Sequence, residues 1–274
     1  MPVSALLLAG SAAFIHAGWN LVIARARDPQ AAAAVAAAMG CAALVPVAVL
    51  TWHVDSAAAP YIAASALLHV VYFATLAEGY AVGDLSSVYP LARGSAPVLV
   101  LVVSVAFLGA KLSAAAVMGV IAVGFGVIAI RGLRGGADSR AIALALLCGV
   151  TIAAYTLVDK EGLKHAAPVP YLGAMQVLPA ATYLALTLRL RGRAAVRGSV
   201  GPRTALAGLG MMSAYALVLA ALKLAPAAPV SAVRETSVLI AVSVAAVATR
   251  ERVSRGRLAG ALAITGGIAA IALS

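Results

Sequence analysis

Two arginines lie inside apolar segments, where a charged side chain requires a partner. Arg93 and Arg234 each stand about two helical turns into such a segment, roughly 10 Å from its end at about 1.5 Å per residue. A cation at the centre of a bilayer costs about 2.5 to 3.5 kcal/mol on insertion scales. An arginine fork can hold a carboxylate, phosphate or phosphonate through two hydrogen bonds. The two residues are therefore candidates for binding an anionic substrate.

Either arginine could instead have a structural role that does not involve a substrate. Glu78 and Arg93 stand about equally far from the turn between the third and fourth segments, so a hairpin would place them at one depth as an ion pair. Arg234 lacks such a partner, because residues 216–222 are apolar and its nearest anion is Glu235, about 100° around the helix. Both arginines could instead extend to the membrane surface. The sequence leaves these explanations open.

Other polar and aromatic side chains are candidates for the walls of a binding site. His16 and Asn20 are spaced i, i+4 on the first segment, beside Trp19, and therefore share a helix face. They suit hydrogen bonds to a substrate or, equally, to a neighbouring helix. Aromatic side chains on later segments form a possible wall, with plain packing as the alternative. They are His69, Tyr72, Phe73, Tyr80, Tyr155, Tyr183 and Tyr215.

The composition places these residues in a membrane. Hydrophobic residues make up 64% of the 274 residues and charged residues 11%, against roughly 25% charged in soluble domains. The mean hydropathy is +1.04. Crossing a bilayer takes about 20 apolar residues, and the sequence has ten such segments. They span residues 3–23, 31–52, 59–82, 87–108, 112–131, 140–158, 169–189, 204–223, 228–249 and 257–273.

The chain repeats itself with an offset of 141 residues. The matching pairs include Arg93 and Arg234, Lys111 and Arg252, Ser113 and Ser254, Gly119 and Gly260, and Gly126 and Gly267. We predict two five-helix repeats, residues 1–131 and 140–274, joined by a linker at 132–139. An odd number of helices inverts the second repeat, so the fold class is all-α with ten transmembrane helices in two inverted repeats. The glycines share one helix face and predict close packing of the fifth and tenth helices.

An interrupted helix is also expected, because transporters often build their sites on one. Prolines occur in the fourth, seventh and ninth segments. Pro97 falls well inside the fourth segment, which also carries Arg93, whereas Pro226 and Pro229 lie near the start of the ninth. The fourth segment is therefore the better candidate for an interrupted helix that bears the site.

The basic residues set the expected orientation in the membrane. The net charge is +11, but the basic residues lie almost entirely between apolar segments, which does not indicate nucleic-acid binding. The loops after the odd-numbered segments are rich in arginine. They hold Arg25, Arg27, Arg131, Arg134, Arg140, Arg189, Arg191, Arg193, Arg197, Arg203, Arg250, Arg252, Arg255 and Arg257. The positive-inside rule makes this face cytoplasmic and both termini non-cytoplasmic, in a multi-pass protein of the cell membrane.

The sequence resembles the drug/metabolite transporter superfamily, specifically its EamA-type ten-helix members. The resemblance rests on His16-Ala17-Gly18-Trp19-Asn20 at the end of helix 1, Tyr89-Pro90-Leu91-Ala92-Arg93-Gly94 in helix 4 and Arg234-Glu235-Thr236-Ser237 in helix 9. It implies export or uptake of small metabolites, amino acids or drugs by exchange or an ion gradient, through a cavity between the repeats. Because the repeat is inverted, Arg93 and Arg234 should lie on opposite sides of that cavity.

We therefore expect a secondary transporter, not an enzyme, for a small metabolite with an anionic or carboxylate group. The expected substrate-binding residues are Arg93, Arg234, His16, Asn20, Trp19, Glu78, Tyr72, Glu235, Tyr155 and Tyr215. Two alternatives are a flippase for a lipid-linked intermediate with the same fold and a membrane-embedded enzyme, although no GxSxG or HExxH motif occurs. No cofactor, metal or nucleic acid is expected; the partners are the bilayer and the substrate, and the protein is a monomer or homodimer.

Overall fold

The computed structural model describes residues 1–82, 85–131, 139–249 and 255–274, and their regular structure is helical apart from one isolated bridge between Val54 and Ala166. The helices are α1 (Val3–Ala24), α2 (Pro29–Leu50), α3 (Ala59–Val82), α4 (Leu85–Ala106), α5 (Ala114–Arg131), α6 (Ser139–Gly162), α7 (Pro168–Gly198), α8 (Pro202–Leu224), α9 (Ala227–Arg234), α10 (Thr236–Thr249) and α11 (Arg255–Ala272). A single 3-10 turn, Ser56–Ala58, precedes α3. The predicted all-α class is confirmed.

Many of the helices are long and apolar enough to cross a membrane. Six described segments meet both conditions, and they are Val3–Ala24, Pro29–Leu50, Ser56–Leu76, Ser139–Gly162, Pro168–Gly198 and Pro202–Leu224. Leu91–Ala106, Ala114–Ala129 and Leu258–Ala272 are shorter apolar helices. The chain is therefore a multi-pass membrane protein.

The local sequence sets where several helices begin. Asp28 caps α2, because its Oδ1 accepts the backbone N–H of Ala31 at 3.0 Å and Pro29 occupies the first helical position. Pro168 and Pro202 occupy the same position in α7 and α8. Proline suits this position because its missing N–H would lack a helical partner there. Pro226 likewise precedes α9, as the sequence predicts.

The ninth predicted segment is interrupted, and the fourth is not. Helix α9 ends at Arg234 and α10 begins at Thr236, with Glu235 between them (φ −72°, ψ −7°). Helix α4 runs unbroken over Leu85–Ala106. The fourth segment, expected to be kinked or interrupted, is therefore not interrupted. The break falls at the buried acid rather than at a proline, so proline positions did not reveal it.

Helix α7 is longer than its apolar segment. The arginine-rich stretch after residue 189 was expected to be a loop, but it is helical to Gly198 apart from a break at Gly192. The chain changes direction at Gly192, whose φ of +82° is a left-handed conformation that glycine adopts without strain. Arg191 then donates to Gln30 Oε1 through both Nε and Nη2, at 2.9 and 2.5 Å. These contacts tie the end of α7 to the start of α2.

The helices pack in corresponding pairs. Helix α1 packs against α8 and α3 against α6, while α2 packs against α7 and α5 against α11. A Cβ placed on Gly119 of α5 would come within 2.5 Å of the carbonyl oxygen of Gly267, and one on Gly126 within 2.7 Å of that of Gly260. The predicted close packing of the fifth and last helices is confirmed. Residues 132–138 of the predicted linker, together with Arg252 and Ser254, lie outside the described residues.

Candidate functional site

A cavity of about 120 Å³ lies between the helices, and most of the predicted site residues reach it. Its walls come from α1, α3, α4, α6, α7, α8 and α9. The predicted residues that line it are His16, Trp19, Tyr72, Arg93, Tyr155, Tyr215 and Arg234. Residues separated by more than 200 positions in the chain therefore share one site.

Both arginines belong to one charged cluster around Glu235. Glu235 Oε2 lies 3.1 Å from Arg93 Nε, and its Oε1 lies 3.6 Å from Arg234 Nε. Glu235 is 0% exposed, and the two arginines are 4% and 5% exposed. The explanation by extension to the membrane surface is therefore wrong. The two arginines share a carboxylate, so the expectation that they lie on opposite sides of the cavity is wrong as well.

The cluster carries net positive charge. His16 Nε2 lies 2.9 Å from Arg93 Nη2. Since a guanidinium can only donate, this ring nitrogen accepts, and His16 is therefore neutral with its proton on Nδ1. Among the described residues of the cluster, two guanidinium groups and one carboxylate then sum to one positive charge beside the cavity. A positive site beside low-dielectric walls favours an anion.

An aromatic wall faces the charged cluster. The ring of His69 stacks on Tyr155 with centroids 4.0 Å apart, and Tyr155 meets Tyr72 and Tyr215 edge to face at 6.1 and 6.3 Å. Arg234 Nη2 donates to the Tyr155 hydroxyl at 3.3 Å, which joins the wall to the cluster. Phe73 also lines the cavity. Of the four residues of the predicted wall on the third segment, three have described side chains, and all three line the cavity.

Two other predicted aromatic residues are not part of the wall. The side chain of Tyr80 lies outside the described part of the chain. Tyr183 stacks on Phe73 with centroids 4.9 Å apart and is absent from the cavity walls. Tyr183 therefore packs against Phe73 and does not line the cavity, which agrees with the alternative of plain packing.

Glu78 and Asn20 are not at the cavity. Glu78 Oε1 accepts from Arg140 Nη2 at 2.6 Å, and both side chains are largely exposed. The proposed pair with Arg93 is wrong because α3 packs mainly on α6 and α7, whereas α4 packs mainly on α5 and α6. Glu78 therefore lies beside Arg140, at the start of α6, rather than beside Arg93. The Asn20 side chain donates to the His16 carbonyl at 2.8 Å within its own helix and lines no part of the cavity.

Sequence reasoning missed several residues of the site. Gln176, Met211 and Met212 line the cavity but stand in apolar segments without a distinctive pattern. Asp159, which does not line the cavity, was also missed; it is fully buried and accepts hydrogen bonds from two tyrosines. The sixth segment was predicted to end at residue 158, but α6 continues to Gly162. Three consecutive charged residues, Asp159-Lys160-Glu161, indicate the end of an apolar segment, which is why the sequence does not predict that Asp159 is buried.

Several buried polar atoms near the site have no hydrogen-bond partner among the described residues. They include the indole Nε1 of Trp19 and the hydroxyls of Ser231 and Ser237. Buried donors are nearly always satisfied by protein, water or ligand. Trp19 lines the cavity, so its N–H is available to an acceptor there.

A second cleft lies at one end of the molecule. Its volume is about 1150 Å³, and it opens between the α1–α2 and α7–α8 turns. Arg25, Arg27 and Arg203 line it, so basic loops that follow the first and seventh segments meet at one end. Lys160 does not line this cleft; it lies in the last turn of α6 and donates to the carbonyls of Leu222 and Ala225. Neither the aromatic wall nor Glu235 reaches this cleft.

The apolar helices, with a charged cavity between them, define a multi-pass α-helical membrane protein. Residues 139–273 match the model of the EamA-like transporter family. The match assigns this part of the chain to that family, and it confirms the predicted resemblance to the drug/metabolite transporter superfamily. The fold is similar to that of a protein of known crystal structure, with a TM-score of 0.75 and 17% identity, over 100% of this chain and 99% of that chain. No curated protein matches the sequence.

Proposed function

We propose that the protein is a secondary transporter that carries a small organic anion by alternating access through the central cavity. The observation that carries this proposal is that two buried guanidinium groups, those of Arg93 and Arg234, meet at the carboxylate of Glu235 beside the cavity. The cluster retains a positive charge that a carboxylate or phosphonate can balance. The free indole N–H of Trp19 supplies a further donor for such a group.

The size of the cavity suggests the scale of the substrate. A cavity of about 150 Å³ holds benzene in a soluble protein, and the present volume is about 120 Å³. Three aromatic rings from His69, Tyr155 and Tyr215 face it and suit the flat side of a ring or an apolar chain. The proposed substrate therefore joins one anionic group to an apolar body of about one ring.

We also propose that alternating access uses two inverted five-helix repeats, residues 1–131 and 140–274, within a ten-span topology. The paired packing supports this, because α1 on α8 and α3 on α6 exchange under the repeat, while α2 on α7 and α5 on α11 map onto themselves. The family match begins at residue 139, beside the proposed start of the second repeat. The ninth span consists of α9 and α10 with the break at Glu235.

The proposed topology places both termini outside the cytoplasm. Its support is the cleft at which Arg25, Arg27 and Arg203 meet, since a basic end favours the cytoplasmic side. We expect alkaline phosphatase fused after Ser274 to be active and green fluorescent protein at the same position to be dark in a bacterial host. The reverse pattern would overturn the orientation. Fusion after residue 200 supplies the matched control, and there we expect the opposite pair of signals.

The test of function is whether anions bind at Arg234. Benzoate, phenylphosphonate and benzenesulfonate share one ring with the neutral benzamide and the cationic benzamidine. We expect the three anions, but not benzamide or benzamidine, to raise the melting temperature of the purified protein, because ligand that binds the native state stabilises it. In Arg234→Gln, anion affinity should fall about tenfold to hundredfold, as loss of a charged hydrogen bond costs about 1.5 to 3 kcal/mol.

The variant is expected to fold, because Arg93 and Glu235 remain paired when Arg234 is replaced. Arg189→Gln removes an exposed arginine from α7, away from the cavity, and should retain wild-type affinity. Uptake of labelled phenylphosphonate into proteoliposomes, driven by unlabelled phenylphosphonate inside, tests transport itself. Stabilisation by benzamidine alone, or equal uptake by wild type and Arg234→Gln, would refute the proposal.

A further inference from the structure

Asp159 is a buried acid that does not line the central cavity. It lies on α6, three residues before the helix ends at Gly162, and its side chain is 0% exposed. Its Oδ2 accepts the Tyr215 hydroxyl at 2.5 Å, and its Oδ1 accepts the Tyr171 hydroxyl at 3.0 Å. Tyr215 lines the central cavity, whereas Asp159 does not. One tyrosine therefore connects the cavity to a carboxylate behind its wall.

The helices around Asp159 bring few charges to it. Helix α3 supplies Ser65 and His69, while α7 and α8 supply the two tyrosines. Arg234 of α9 acts on Asp159 electrostatically, but its hydrogen bond is with Tyr155 and its ion pair with Glu235. Within the described residues, no cation donates a hydrogen bond to Asp159.

Two other basic residues near α6 point elsewhere. Arg93 of α4 acts electrostatically on Cys148. Cys148 lies about 16 Å from Asp159 along α6, since each helical residue rises about 1.5 Å. Lys160, the neighbour of Asp159, donates to the carbonyls of Leu222 and Ala225 at 2.5 and 3.0 Å. A buried carboxylate without a bonded cation is costly, and a bound proton removes that cost.

We propose that Asp159 binds a proton and that Tyr215 couples this proton to anion binding in the cavity. The inference rests on the proposed function, because the cavity must hold an anion. When Asp159 is ionised, the hydroxyl hydrogen of Tyr215 is directed to its Oδ2. A proton from solvent turns the carboxylate into a carboxyl group, which can donate to the Tyr215 oxygen. The Tyr215 hydrogen is then free to turn toward an anion in the cavity.

The coupling has two physical sources. The freed Tyr215 hydroxyl adds a donor to the anion, which already has Arg234 and the Trp19 indole as partners. Neutral Asp159 also no longer repels the anion through the low-dielectric wall. Proton and anion therefore favour each other's binding, and each raises the affinity for the other by the same factor. An anion that moves with one proton transfers no net charge when its own charge is one.

The geometry favours a proton over a metal cation. Both carboxylate oxygens of Asp159 already receive hydroxyl donors, whereas a cation needs acceptor lone pairs directed at it. No group of three or more His, Cys, Asp or Glu side chains suited to a metal occurs in the described part of the chain. The hydroxyl hydrogens can reorient, so the same three side chains accommodate both protonation states of Asp159.

The coupling can be measured with benzenesulfonate, whose own charge is constant over the accessible pH range. We expect the wild-type Kd to rise as pH increases through the titration of Asp159, because the ionised form binds the anion more weakly. A typical coupling corresponds to a change of about 5- to 150-fold. Asp159→Asn imitates the protonated carboxyl, so its affinity should stay near the wild-type acid value at every pH.

Two further variants complete the design. Tyr215→Phe keeps the ring but removes the hydroxyl, and its affinity should depend less on pH than that of wild type. Glu161→Gln is the matched control, because it neutralises an exposed acid two residues further along α6 that pairs with Lys164. It should keep the full wild-type dependence. Calorimetry in buffers of different ionisation enthalpy should show proton uptake on binding in wild type and none in Asp159→Asn.

Infrared spectroscopy tests the proton site without any anion. The carboxyl C=O band of a buried acid should be present at low pH, disappear on alkaline titration and be absent from Asp159→Asn. This measurement, together with Tyr215→Phe, decides the question if Asp159→Asn fails to fold. Binding that persists with no pH dependence overturns the coupling and leaves the proposed function intact. Binding that depends on sodium instead of pH overturns the proton assignment, and absence of anion binding at every pH overturns both proposals.

Discussion

Glu235→Gln is expected to lower the free energy of unfolding by about 3 to 5 kcal/mol, the usual cost of removing one partner from a buried ion pair. The carboxylate of Glu235 is 0% exposed and lies between two guanidinium groups, at 3.1 Å from Arg93 and 3.6 Å from Arg234. Glutamine keeps the size of the side chain but leaves two like charges in a low-dielectric site. Each then loses its counter-charge and repels the other.

The measurement is a chemical or thermal unfolding curve of the purified protein in lipid or detergent. Glu78→Gln is the matched control, because Glu78 also pairs with an arginine, but in a pair whose side chains are 47% and 65% exposed. An exposed pair contributes about 0 to 1 kcal/mol. Benzenesulfonate should restore more stability to Glu235→Gln than it adds to wild type, since it supplies the missing negative charge. Equal effects of the two substitutions would contradict the cluster.

Gly267→Ala is expected to lower the free energy of unfolding by about 1 to 3 kcal/mol, the usual range for overpacking. A Cβ on Gly267 would lie 2.6 Å from the Gly119 carbonyl oxygen and 2.9 Å from Val123 Cγ2. A backbone oxygen cannot move aside without displacing α5. Since van der Waals contact holds membrane helices together, separating α5 from α11 weakens the whole interface.

The neighbouring residue provides the control. A Cβ on Gly266 would meet nothing within 4 Å, so Gly266→Ala has space for its methyl group. Alanine is a better helix former than glycine by about 1 kcal/mol, and Gly266→Ala should therefore be neutral or stabilising in the same unfolding assay. Two adjacent glycines should thus respond in opposite directions. Destabilisation by both, or by neither, would show that close packing at Gly267 is not what requires glycine.

The sequence was sufficient to predict the helices. Hydropathy located the segments to within a few residues at most of their ends, because apolar length is set by the thickness of the bilayer. The repeat and the glycine faces predicted the contact between α5 and α11, since the residue type itself limits how closely two backbones approach. The cost of burying Arg93 and Arg234 likewise required partners, whatever the packing.

The identity of those partners depended on the tertiary structure. Glu78 was the natural choice for Arg93 by depth, but α6 separates α3 from α4, and Glu235 takes that place. Asp159 was overlooked because it stands next to charged residues at a segment end, although the surrounding helices bury it completely. A sequence encodes how deep a residue lies along its own helix. It does not encode which neighbouring helix the residue faces, and this rotation and packing decide which buried charges meet.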